Sequence, residues 1–508
     1  MLNKWEKGNL KVFQTDLIHG YRSKYPISSS QINCLKLVLL FASFYGYFSI
    51  FQNACIDDAY ITLDYVRSIV GHGVWGITPA HVTNTATSPL NVILLSLLGL
   101  VIKNFTRLPV ILASISFVVI FQCMDRIAVR LPGGQIFGWL TTYLLLLNPL
   151  LLSTLGMESI LFSSLIIASL YCLVYQKWNW LAVVLGLLVL TRMDGILLAC
   201  ILFFKIPFRK NRLKFICLIL LVTLPWFLFS WVQLGSFIPD TFFIKTLQSH
   251  WGHYEFSDGI SLYFERYPFE SFLSFFILLS CIAMIFRPIR TAEVPGVVFL
   301  YGLSHFAAYS FLHVPPYHWY YAPEIVSATI VGSFALGILY ENVATYKWKT
   351  IVVRGFISVL ILIPAAGLTV ILANQQFKMA EMPIHTNRAS QEQYKQIGIW
   401  IKDNCADENL RLNGEIGTLS YYCDCTLMDW FGERGWLVSI VNEQKKADGP
   451  VAALFRFNFR FLKDDSRSSS YSQQITAYID RKTATDPFIR RWETTTRWTP
   501  NSLVTLSD

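Results

Sequence analysis

Cys55-Ile56-Asp57-Asp58-Ala59-Tyr60-Ile61 stands directly after the first long apolar run of the chain. Adjacent carboxylates beside a lipid-embedded helix are costly, so they mark either a wetted interface or a working site. The surrounding composition decides the fold. The 508 residues are 54% hydrophobic and only 15% charged, whereas soluble domains carry about 25% charged residues. Apolar runs of bilayer-crossing length recur as far as residue 373. The chain therefore reads as an α-helical polytopic membrane protein with about eleven transmembrane helices and a C-terminal extracytoplasmic α/β domain.

Outward from the acidic pair, residues 1–33 are polar and basic (Lys4, Lys7, Lys11, Arg22, Lys24) and form a cytoplasmic N-terminal segment rather than a cleavable signal. The first span covers 34–52, and the outer loop 53–88 carries the pair on short juxtamembrane helices broken by Gly71, Gly73, Gly76 and Pro79. Further spans are expected at 89–102, 108–123, 136–152, 159–175, 180–204, 213–234, 271–287, 295–312, 322–340 and 351–373. This count places the basic loops 205–212, 287–290 and 347–349 in the cytoplasm. It places 53–88, 235–270, 313–321 and 374–508 outside. Two pieces fit badly: Arg126 and Arg130 fall outside, and the Gly156-Met157-Glu158 turn falls inside. Residues 34–373 form the transmembrane module, and 374–508 a compact outer domain. In that domain, 389–404 has the pattern of an amphipathic helix and 409–440 contains strand-like pieces.

The net charge of +9 belongs to cytoplasmic lysines and arginines, and nothing in the pattern suggests nucleic-acid binding. Cys34, Cys123, Cys172, Cys200, Cys217 and Cys281 lie in apolar runs as small buried hydrophobes, without zinc spacing. In the outer domain, Cys405 is a candidate to pair with Cys423 or Cys425.

Several residues have the chemistry for a site. Asp57 and Asp58 can share the work of a general base and of a divalent metal ligand (Mg, Mn or Ca), with Asp64 and Arg67 in support; the plain alternative is a solvated pair or a helix cap. Glu158 either faces a cavity or complements a helix N-terminus. Arg192 and Asp194, deep in an apolar run, either pair with each other or line a cavity. Lys245 can bind phosphate as a point charge or snorkel to headgroups. His318 joins Trp319, Tyr320 and Tyr321 in a loop that also suits an interfacial aromatic belt. In the outer domain, Glu415 and Asp429 sit near glycine-marked turns, where they either reach the substrate or are structural.

In order and spacing these segments resemble the GT-C superfamily of membrane glycosyltransferases, closest to the family that includes the mycobacterial terminal arabinofuranosyltransferase. The resemblance rests on Asp57-Asp58-Ala59-Tyr60-Ile61, Thr87-Ser88-Pro89-Leu90 and Gly156-Met157-Glu158. It continues through Arg192-Met193-Asp194-Gly195, Pro239-Asp240-Thr241 with Lys245, Trp319-Tyr320-Tyr321-Ala322-Pro323 and the Ile416-Gly417 to Gly432 run. Met193, Asp240 and Trp319 replace the Pro, Asn and Arg of the family pattern. The resemblance implies a polyprenyl-phosphate-linked pentose or hexose donor and a cell-envelope glycan, lipid or protein acceptor. It implies an inner (plasma) membrane enzyme whose site faces the periplasm or exterior. Asp57 or Asp58 would be the base, with the other holding a metal or orienting the acceptor. Lys245, Arg192 and His318 would hold the donor phosphate. Glu158, Asp194, Tyr320, Tyr321, Glu415 and Asp429 would touch substrate. Two other classes remain: a flippase or transporter of lipid-linked glycans, against which the absence of two matching halves speaks, and a non-catalytic envelope scaffold.

Overall fold

The computed structural model describes residues 29–507 except 208, 249, 276–292, 344–346, 406–408, 430, 432–433, 464–471 and 485–486. The basic N-terminal stretch to residue 28, most of the expected span 271–287 and the loop 287–290 therefore lie outside the described residues.

Helix α1 (Ser29–Ser49) leads into α2 (Asp57–His72), which starts at the acidic pair and stops where Gly73 takes a left-handed φ of 69°. Helix α3 (Pro89–Val101) has proline in its first turn, where no amide donor is needed. Then come α4 (Leu108–Arg130), α5 (Gly134–Leu146), α6 (Pro149–Leu152), α7 (Ser159–Val174), α8 (Trp178–Thr191) and α9 (Ile196–Phe203). Asn148 caps α6 by accepting the Leu151 amide at 3.0 Å. Next are α10 (Arg209–Phe229), α11 (Asp240–Gln248), α12 (Gly259–Arg266), α13 (Pro268–Phe275), α14 (Glu293–Phe311), α15 (Ala322–Val343) and α16 (Lys347–Asn374). Among the described residues, five stretches suit a membrane crossing by length and composition: Asn33–Ala54, Phe105–Arg130, Asn211–Leu234, Glu293–Phe311 and His318–Glu341, with shorter apolar helices among them.

After α16 the chain turns α/β. Helix α17 (Gln391–Cys405), strand β1 (Leu410–Asn413), α18 (Gly417–Cys423) and β2 (Leu427–Met428) precede α19 (Arg434–Lys446) and α20 (Pro450–Asn458). Strands β3 (Gln473–Tyr478), β4 (Arg490–Thr494) and β5 (Ser502–Ser507) complete a sheet of order β2-β1-β3-β5-β4. It is parallel from β2 through β3 and antiparallel from β3 through β4. Its core residues Leu410, Leu412, Leu419, Ile475 and Val504 cluster with Tyr65 of α2 and Val92 of α3, so this region is fused to the loop that carries the pair.

Three expectations change. The stretch 89–102 is a 13-residue helix, about 20 Å long. Its Leu90, Leu94, Leu95 and Leu98 pack with Val66 and Val70, so α3 lies along α2. The single run 180–204 breaks at Arg192, which is extended, and a Cβ on Gly195 would meet the Leu188 backbone at 3.1 Å. The chain therefore folds back sharply. Asp194 meets His305 while Lys205 meets Glu293, so α9 runs antiparallel to α14. Lastly, the Gly156 turn abuts α2, where an added Cβ would come within 2.6 Å of the Ala59 Cβ. Glu158 thus lies at the acidic-pair end of the bundle. Arg126, Arg130 and Lys177 collect at the other end: the Arg130 guanidinium lies 4.4 Å from the Tyr175 ring centre, and the Tyr175 hydroxyl donates to the Arg126 carbonyl. The two groups that fit the sequence count badly thus lie at opposite ends of the bundle.

The expected strands at 409–440 reduce to β1 and β2, with most of the sheet lying beyond. Cys423 pairs with Cys425 across one turn; Cys405 is buried at the end of α17 and takes no part.

Candidate functional site

The two adjacent aspartates have separate fates. Asp57 is buried, and its two carboxylate oxygens accept the Gly417 and Thr418 amides at 2.7 Å each. Those are amides of the first turn of α18, left without helical partners and carrying the positive end of the dipole. Arg67, ten residues further along α2, donates to the Ser420 and Tyr421 carbonyls at 3.2 and 2.7 Å. It also holds Asp64 at 3.1 Å. One face of α2 thus grips α18 at both ends. The grip requires glycine at 417, since a Cβ there would lie 2.1 Å from the Asp57 carbonyl oxygen.

Asp58 faces the other way. It is half-buried, and no described residue hydrogen-bonds its carboxylate. Burial pushes its pKa up to about 6; Lys245 opposes that rise, and Glu415 and Glu158 add to it. Asp57 is pushed up to about 7, chiefly by burial, against the pull of the Thr418 and Gly417 amides.

Lys245 comes from α11. Its ammonium lies 4.5 Å from the Tyr317 ring centre, 5.5 Å from Tyr320 and 5.6 Å from Trp319. Burial disfavours its charge, but Tyr320, Tyr317 and Asp58 outweigh this and hold its pKa above the ordinary lysine value. Asp240, at the start of the same helix, accepts from Ser236 at 2.6 Å within a web around Asn84, which ties its charge down locally.

Glu415 is fixed by Arg388 at 3.0 Å and by the Tyr394 hydroxyl. It reaches Asp58 through its field. Arg192 is 5% exposed and already engaged: Asp194 at 2.7 Å, Glu158 at 3.4 Å, the Trp319 carbonyl at 3.2 Å and the Tyr309 hydroxyl at 3.1 Å. Its guanidinium lies 5.3 Å from the Tyr320 ring centre. Asp194 in turn meets His305, whose other nitrogen meets Glu324 at 2.6 Å.

The structure therefore brings Asp58, Lys245, Glu158, Glu415, Arg192, Asp194 and Tyr320 to one end of the bundle. It places three other expected residues differently. His318 is fully buried against Tyr263 and Trp319. Tyr321 stacks on Phe256 and donates to its carbonyl, away from Asp58. Asp429 is buried just after β2, within the sheet region. A divalent metal on the acidic pair does not fit well. Both Asp57 oxygens are occupied by amides, and among the described residues no three His, Cys, Asp or Glu side chains gather as a metal group. Sequence reasoning missed Arg388 and Tyr317, and placed Tyr394 only on the apolar face of the expected helix 389–404, which is α17. Arg388 lies in the polar stretch after α16, where a single sequence offers no pattern to separate it from ordinary linker residues.

No protein-family model matches the chain, and no characterised sequence matches it significantly. Solved structures do. ArnT from Cupriavidus metallidurans in the apo state aligns over 94% of this chain and 98% of its own, with a TM-score of 0.58 at 14% identity. The oligosaccharyltransferase AglB from Archaeoglobus fulgidus, in complex with an inhibitory peptide and a dolichol-phosphate, aligns over 88% of this chain and 70% of its own, at TM-score 0.55 and 11% identity. The Archaeoglobus oligosaccharyltransferase complexed with zinc and sulfate aligns over 87% and 67%, at TM-score 0.54 and 12% identity. These neighbours are GT-C glycosyltransferases.

The chain has the GT-C fold. Helices α2 and α3 pack against the bundle, and the α/β region is joined to α2 through the grip of Asp57 and Arg67 on α18. The chain is a multi-pass membrane protein, and Asp58 lies where its helical bundle meets that region.

Proposed function

We propose that the protein transfers a sugar from a polyprenyl-phosphate-linked donor to a hydroxyl of a cell-envelope glycan, lipid or protein. The observation that carries this reading is Asp58, a half-buried carboxylate without a hydrogen-bonding side-chain partner among the described residues, within the field of the caged Lys245 ammonium. Asp58 takes the proton of the acceptor hydroxyl. The acceptor oxygen forms a bond to the anomeric carbon as the bond from that carbon to the phosphate oxygen breaks. The departing polyprenyl phosphate keeps the electron pair, and the ammonium of Lys245 offsets its growing charge. A pKa near 6 suits Asp58, ionised at neutral pH yet basic enough to take a proton. Asp57 is a positioning residue that holds α18 in place. Glu415, Glu158 and Tyr320 line the acceptor and donor approaches, and Arg192 with Asp194 sets Tyr320 and thereby Lys245. A hexose and a pentose fit this scheme equally.

The sidedness follows from charge. Arg126, Arg130, Lys177 and Lys205 at the far end argue for a cytoplasmic face there, with Asp58 toward the outer face of the inner membrane. Among the described residues the crossings are then α1, α4, α5 with α6, α7, α8, α9, α10, α14, α15 and α16, the expected span 271–287 lying mostly outside them. On this reading residues 34–373 form the transmembrane module and 374–508 the extracytoplasmic domain.

The test is transfer from a radiolabelled polyprenyl-phosphate sugar by membranes carrying Asp58→Asn, Lys245→Met or the unaltered protein. Loss with Asp58→Asn supports the reading. Full transfer by Asp58→Asn overturns the assignment of the base. Vectorial movement of the lipid-linked sugar without turnover would replace it with transport.

A further inference from the structure

A cavity lies at the opposite end of the bundle from Asp58, one length of α8 away. It holds about 530 Å³ between the turn joining α7 to α8 and the first turns of α10. That volume exceeds what one inorganic anion fills and falls in the range of small-ligand sites. Lys177, Trp178, Asn179, Trp180, Asn211 and Lys214 line it, and no carboxylate does among the described residues.

The lysines are arranged differently. Lys177 is held in place, donating to the Tyr171 hydroxyl at 2.9 Å with its ammonium 4.8 Å from that ring centre. Lys214 is exposed and meets no described side chain. The Trp178, Asn179 and Trp180 amides begin α8, whose first helical bond is from the Leu181 amide to the Lys177 carbonyl. Those three donors are thus spare, and they add to the positive field of the lysines.

Around the cavity the surface is apolar and open. Trp180 is 65% exposed, and along α10 Leu213 and Leu221 are 66% and 70% exposed. In a chain of this composition such leucines face acyl chains. The cavity therefore joins a cationic, hydrogen-bonding pit to a lipid-facing wall. Its ligand needs an anionic head and hydrocarbon tails.

We propose that this cavity binds an anionic phospholipid, with the phosphate between Lys177 and Lys214, the headgroup hydroxyls on Asn179 and Asn211, and the tails along Leu213 and Leu221 of α10. A zwitterionic headgroup would bring a second cation into a lining that has no carboxylate to receive it. The site is independent of the transfer chemistry, since it shares no residue with the group around Asp58.

The experiment is native mass spectrometry of the full-length protein in neutral detergent, titrated with phosphatidylglycerol or phosphatidylcholine. The unaltered protein retains phosphatidylglycerol preferentially. Lys177→Gln/Lys214→Gln weakens this by about 30-fold, as expected from two lysines near an anionic headgroup. Should the double variant fail to fold, Lys214→Gln alone, on an exposed side chain, is expected to lose about fivefold. Equal retention of both lipids, or an unchanged affinity in the variants, overturns the proposal. Displacement of bound phosphatidylglycerol by millimolar inorganic phosphate also overturns it, because the site would then serve a soluble anion.

Discussion

Asp57→Asn separates the two aspartates. Asp57 accepts two amides at 2.7 Å from the first turn of α18, in a buried setting. An asparagine there keeps one acceptor but turns its NH2 toward the second amide. One charge-assisted bond of about 1.5–3 kcal/mol is lost, and one buried donor is left unmet at about 1–3 kcal/mol, so the junction should weaken by about 3–5 kcal/mol. The loss falls on the contact of α2 with α18, leaving the helical bundle itself intact. Thermal unfolding and limited proteolysis in detergent check this. Asp57→Asn should expose residues 410–507 to protease and lower the melting temperature of that region, with transfer falling in parallel. Asp58→Asn should leave both unchanged. An Asp57→Asn protein that keeps full protease resistance yet loses transfer would refute this division of roles and make Asp57 the base.

Other outcomes follow from the same geometry. Gly417→Ala puts a methyl 2.1 Å from the Asp57 carbonyl oxygen and 2.7 Å from the Ile61 amide nitrogen, so it should release α18 as Asp57→Asn does, read by the same proteolysis. Transfer should fall as the pH drops through about 6, because burial holds the Asp58 pKa there and the base is lost on protonation. Lys245 lowers that pKa, so Lys245→Met should move the acid limb of the pH–rate profile to higher pH as well as raising the KM for the donor. Arg192→Lys loses the paired contact to Asp194 and the stack on Tyr320; it should reduce kcat about 10-fold or more while donor binding persists, seen in the split of kcat from KM.

The acidic pair and Lys245 were legible in the sequence because charges beside apolar runs have few cheap explanations. The same reasoning could not divide the work between Asp57 and Asp58. That division depends on α18, some 360 positions further along the chain, arriving with its amide end against one carboxylate. Residues 180–204 read as one span because apolar residues continue through the reversal; Arg192 and Asp194 were the trace of the break. Residues 89–102 read as a span from their apolar run, and their packing against Val66 and Val70 of α2 is a tertiary contact that the run does not display. Glu158 fell on the inner side by the counting of spans, and its place beside the acidic pair comes from the Gly156 turn packing on Ala59 of α2. His318 looked available as a loop cation, but a ring of aromatics encloses it, and such enclosure is a property of packing that no local pattern displays.

The central claim is that Asp58 turns over a lipid-linked sugar. Its most direct measurement is the lipid-linked sugar pool of cells whose only copy carries Asp58→Asn, extracted and then exposed to the unaltered protein with native envelope acceptor. The account predicts that a polyprenyl-phosphate sugar accumulates in those cells, and that the unaltered protein consumes it and releases polyprenyl phosphate. No accumulation, or consumption that proceeds equally with the Asp58→Asn protein, would contradict it.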